Sequence, residues 1–127
     1  MSHSTANIQE LEGPALRAFL GIARAWSLTE LEQSAILGQP IDAMFSLAET
    51  GVVDELRPET LERISYVLGI YRALHTIFPD PLQADSWIRR PNSTAPFNGA
   101  PVLTLVCSGR IADLALVRCH LDAQGLD

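Results

Sequence analysis

Apolar residues recur along this chain in steps of three and four, the period of a helix with one buried face. From Pro14 onward, Leu16, Phe19, Leu20 and Ala23 make a first stripe that ends near Trp26. Residues 1–12 are polar without a sustained period and are expected to form a flexible arm. "SLTELEQSAILG" predicts a second helix. Thr29 with Glu32 fits the Ser/Thr-x-x-Glu capping box, and Ser27 with Glu30 fits it one register earlier. Leu28, Leu31, Ala35 and Ile36 are its expected buried stripe, and Gly38 its stop. Pro40 is placed to open a third short helix, "PIDAMFSLAETG", closed by Gly51. Three short helices with a glycine-containing turn between the last two have helix-turn-helix spacing.

The longest periodic segment is "PETLERISYVLGIYRALHTIF". Leu61, Ile64, Leu68, Tyr71, Leu74 and Phe78 follow helical steps, and Val67, Ile70 and Ile77 widen the stripe until most of the helix is interior. Arg63 and Arg72 are expected to face solvent or a partner. "PDP" breaks this strut, and a short helix, "LQADSWIRR", follows. In "GAPVLTLVCSG" the run Val102, Leu103, Leu105, Val106 has strand propensity. Pro101 and Gly109 bracket it as helix signals would, and no second strand exists to satisfy its backbone, so a short buried helix is predicted. "RIADLALVRCHLDAQ" closes the chain with Ile111, Leu114, Ala115, Val117 and Leu121 on one face. The expected fold is all-α, a small helical bundle.

Composition narrows this picture. A chain of 127 residues, 47% hydrophobic with positive mean hydropathy, can bury one modest core. No apolar run reaches the length of a membrane span, and the start lacks the basic-then-apolar order of a signal peptide, so a cytoplasmic address is expected. Cys107 and Cys119 are read as reduced, buried structural thiols, because their spacing with His3, His75 and His120 matches no zinc signature. Glycine-rich phosphate loops, paired-carboxylate motifs and zinc-binding helices are missing from the sequence, so neither enzymatic chemistry nor a metal or cofactor is expected. His75, beside Leu74 and Phe78, reads as a satisfied residue at the core edge.

Charge separates two regions. The net charge is −6, and the whole excess lies in residues 25–56, where Glu30, Glu32, Asp42, Glu49, Asp54 and Glu55 meet no basic residue. Residues 57–127 balance seven arginines against seven acids, and the chain has no lysine. A helix that reads DNA offers Arg, Lys, Asn or Gln. The third helix offers mainly apolar and acidic residues, leaving Gln39 and Ser46 as candidate DNA contacts. The densest positive charge lies instead in "WIRRPNSTAPFNG", residues 87–99, which is stiffened by Pro91 and Pro96 and carries Trp87 and Phe97. Trp and Arg are common interface anchors. Residue types alone leave open whether this stretch is held by its own core or by another protein.

From "RPETLERISYVLGIYRALHTIFPD" through "WIRRPNSTAPFNGAPVLTLVCSG" to "ADLALVRCHLDAQ", the sequence resembles the toxin-binding domain of the Xre/MbcA/ParS-like antitoxin family. The shared features are the helix ending Leu-x-x-x-Phe-Pro, the Trp followed by Pro-Asn, the Phe-x-Gly, and the Ser-Gly before the final helix. The resemblance implies a flexible N-terminal arm (1–12), a degenerate Xre-type helix-turn-helix (13–56) and a toxin-binding domain (57–127). It implies a type II antitoxin that occludes the active site of a RES-domain, NAD-consuming toxin. Toxin contacts are then expected from Trp87, Arg89, Arg90, Asn92 and Arg110, with Phe97 and Gly99 mainly fixing the turn. The family implies a homodimer and a hetero-oligomer with the toxin, and complexes that bind promoter DNA. The acidic third helix departs from that last property. The alternative reading is a helix-turn-helix transcriptional regulator.

Overall fold

The computed structural model describes residues 3–39, 58–93 and 97–125. Among these the chain is all-α: α1 (His3–Ala25), α2 (Glu30–Leu37), α3 (Pro58–Ile77), α4 (Pro81–Ser86), a 3₁₀ turn (Trp87–Arg89), α5 (Val102–Val106) and α6 (Ile111–Gly125). The expected third helix, with Ser46, and the C-terminal Asp127 lie outside the described residues.

α3 is the strut that the periodicity predicts. It packs against α1, α2, α4 and α6. Thr60, Ile64, Val67, Ile70 and Leu74 are buried along it, in steps of three and four. They meet Leu16, Phe19 and Ala23 of α1 and Leu114, Val117 and Leu121 of α6 in one continuous core. Val102–Val106 is helical and buries Val102, Leu103 and Val106, as the absence of a strand partner required.

Three expectations need correction. Helix α1 begins at His3 and runs through Pro14, so the loose arm is not observed. Apolar periodicity reports packing against a core, not helicity itself, and an interior proline interrupts one backbone bond without ending the helix. In α2 the capping box at Thr29 and the left-handed Gly38 stop (φ 72°) are both present, yet Leu31 is 84% exposed. Thr29 caps the helix one residue after Leu28, so Leu28 stands outside the helical register; Ile36 and Leu37 define the buried face, and Leu31 lies off it. The third correction concerns Arg63, which is 7% exposed rather than facing solvent.

Arg63 and its neighbour Thr60 close the C-terminal end of α2. The last carbonyls of a helix have no intrahelical donor. Thr60 Oγ1 donates to Leu37 O at 3.0 Å, and Arg63 Nη1 donates to Ile36 O at 3.3 Å. Arg63 Nη2 also donates to Glu59 at 3.1 Å and to Gly109 O, 46 residues further on, at 2.7 Å. One guanidinium therefore ties α2, α3 and the turn before α6.

Candidate functional site

The stretch after α3 is shaped by its prolines. Asp80 caps α4 by accepting from the Leu82 N–H at 3.1 Å, with Pro81 as the first helical residue. The chain tightens into the 3₁₀ turn at Trp87 and leaves it at Arg90, whose φ −80° and ψ 141° are those a residue before proline must adopt. Pro91 and Pro101 then form an isolated antiparallel bridge. Asn92 donates its N–H to Ala100 O (3.2 Å) and accepts from Gly99 N (2.7 Å), so the two ends of the loop are laced together. At its far end Ala100 N–H donates to Phe97 O at 3.0 Å. Asn98 (φ 53°) and Gly99 (φ 90°) between them are both left-handed, as in a type I′ turn.

Phe97 anchors this loop. It is buried, lies edge-on to Trp87 (6.4 Å between centroids) and edge-on to His120 of α6 (5.1 Å). Trp87 is half-buried against the core, and Ile88 is wholly interior. The loop is thus held by its own core at Ile88 and Phe97, while Arg90, Pro91, Asn98 and Gly99 face outward.

Arg89, with 41% of its side chain exposed, is engaged within the chain. Its Nε donates to Trp26 O (3.0 Å), and its Nη2 donates to Ser27 O (2.7 Å) and to Glu32 Oε1 (3.1 Å). Those two carbonyls lie just past the end of α1, where cationic donors are favoured, and Ser27 is left-handed (φ 55°). Arg89 is a brace between the loop and the N-terminal helices. Burial by itself would raise the Glu32 carboxyl, but the Thr29 N–H, the Arg89 guanidinium and the Thr29 hydroxyl outweigh it and hold the group below its ordinary value.

The remaining predicted residues divide plainly. Arg90 is exposed, with Nη2 donating to Ser86 Oγ at 3.0 Å. Arg110, whose side chain is 78% exposed, pairs with Asp113 at 3.4 Å. Phe97 is 4% exposed and packs inside the turn. Gln39 is half-buried next to the end of α2. Of the thiols, Cys107 is half-buried and Cys119 exposed, so the buried reading fails for Cys119. Burial, with Glu32 nearby, pushes the Cys107 thiol up to about 11. His75 Nε2 lies 2.7 Å from Asp85 Oδ1 with its ring against Tyr71, a satisfied histidine at the core edge.

Spacing offered no sign that Arg89 would find Glu32, or Phe97 find His120; only the fold brings these pairs together. Among the described residues no group of three or more His, Cys, Asp or Glu side chains could hold a metal ion, and no helix is long and apolar enough to cross a membrane.

No family model matches the sequence. Over 110 residues the chain is 40% identical to "Uncharacterized protein y4oB" of Sinorhizobium fredii, a match that covers 86% of this chain and 82% of that relative.

Proposed function

We propose that this chain, which belongs to the family of the Sinorhizobium fredii protein y4oB, acts as the antitoxin of a type II toxin–antitoxin pair. In this reading it binds a RES-domain toxin, covers the entrance to the toxin's NAD-consuming site, and contributes no reaction of its own. A homodimer assembles with the toxin into a hetero-oligomer. The single observation that supports this best is the loop of residues 87–99: it is cross-tied at Asn92 and pinned by Phe97, yet it turns Arg90 outward and leaves one side of Trp87 uncovered. The described parts of the loop, 87–93 and 97–99, are tied to each other and to the core, and a tied segment loses less entropy when a partner immobilises it, which favours tight binding. Arg90 contributes the planar donor fork suited to carboxylate and phosphate groups, and Trp87 the aromatic area typical of central anchors.

The test is co-expression with a RES-domain toxin. Growth rescue and co-purification are the expected result. A protein that neither rescues nor co-purifies overturns the reading. Trp87→Ala and Arg90→Ala sharpen it: each central anchor should account for at least about 2 kcal/mol of binding, and unchanged affinity in both would return the loop to a purely structural role.

A further inference from the structure

A second site lies away from that loop, in a cleft of about 310 Å³ between α3 and α6. It is lined by Gly69, Arg72, Thr76, Arg118 and Asp122 among others, at the lower end of the size range of small-molecule sites. Its charge is unlike that of the chain as a whole: two guanidinium groups face one carboxylate, in a protein of net charge −6.

The arrangement depends on a glycine. Gly69 sits in the middle of the strut, where glycine is a poor choice for a helix. A Cβ at that position would lie 2.5 Å from Arg118 Nε, 2.6 Å from its Cζ and 2.8 Å from its Cδ. The end of the Arg118 side chain therefore occupies the space beside Gly69 that any other side chain would fill. Its ion-pair partner Asp122 stands off at 3.7 Å from Nε, beyond hydrogen-bond length, and both side chains stay partly exposed. Among the described residues Arg72, on the same side of α3, has no side-chain partner at all. Thr76 spends its hydroxyl proton on Arg72 O (2.9 Å), leaving that oxygen only as an acceptor. What the cleft offers is two forked donors against one loosely placed carboxylate.

We infer that the cleft between α3 and α6 binds an oxyanion group, a phosphate or a carboxylate, held by Arg72 and Arg118 with Gly69 making room for the second guanidinium. Charge-assisted forked bonds from arginine are the strong form of such contacts. The inference does not rest on the antitoxin reading and is tested on the protein alone.

The full chain is titrated with inorganic phosphate and, separately, with acetate at fixed ionic strength, following the Nε–Hε signals of the arginine side chains by NMR. Saturable shifts of Arg72 and Arg118 are expected. R72Q and R118Q should each weaken binding tenfold or more, and R110Q should leave it unchanged. G69A meets only the flexible end of Arg118, so it should keep the fold while displacing the guanidinium and weakening binding likewise. Tighter binding of phosphate would identify a phosphoryl ligand, and tighter binding of acetate a carboxylate; either result supports the site. Linear, unsaturated shifts for both anions overturn it, as does equal affinity in the wild type, R72Q and R118Q. Wild-type affinity in G69A would remove the role given to the glycine.

Discussion

Two arginines that read alike in sequence have opposite fates from their neighbours, and the difference is set by carbonyls far away in the chain. Arg63 ends on a carbonyl in the last turn of α2 and Arg89 on carbonyls just past α1, whereas Arg72 and Arg90 point outward. Removing Arg89 takes a donor from Trp26 O, Ser27 O and Glu32, the last of which keeps the Thr29 N–H. Arg89→Ala is therefore expected to lower stability by about 1 kcal/mol, measured by urea unfolding; a midpoint equal to the wild type would refute the brace. The thiols give a second prediction. Cys119 is exposed, while Cys107 is half-buried with its proton held to about pH 11, so iodoacetamide at mild pH should modify Cys119 first. Between the ordinary thiol value of 9.0 and about 11, the unfolded chain loses the Cys107 proton and the folded one keeps it, so stability falls as pH rises through that window. Cys107→Ala should flatten that part of the decline in an alkaline denaturation series.

Helix boundaries were legible where the residues that set them lie close together in sequence. Thr29, Glu32 and Gly38 bound α2 as anticipated, because a capping box and a left-handed stop depend on residues three or four apart. The same reasoning failed for α1, where a proline and a polar stretch suggested a boundary that neighbouring backbone bonds override. It failed again for Leu31, because the direction a short helix turns its face is set by what it packs against. Thr29→Ala deletes the hydroxyl that accepts from Glu32 N and should lower stability by about 1 kcal/mol, a drop of roughly 3–5 °C in Tm for a chain of this size. No change in a melting curve would mean that α2 is fixed by packing alone.

For the molecule as a whole, the all-α architecture and the central place of α3 were legible because burial follows the period of the sequence. The candidate site was legible only in outline. The stretch 87–99 stood out by composition, but which of its residues face inward depended on His120, Glu32 and the end of α1, all distant in sequence. A core that draws on Phe19, Ile64 and Leu121 alike makes residues 57–127 dependent on α1. A fragment covering them alone should lack a cooperative thermal transition, because Leu74 and Ile70 would lose their cover and Arg63 and Arg89 their acceptors; circular dichroism would reveal a sharp melt if the fragment folds by itself. The proline after Arg90 has one more consequence. With arginine as its only internal cleavage signal, trypsin has few places to cut this chain. It rejects the Arg90–Pro91 bond, and it must pull Arg89 or Arg63 from their carbonyls to cut beside them. The outward-facing loop is thus also the stretch that digestion spares, and it should survive inside one long peptide after the ends of the protein have been trimmed away.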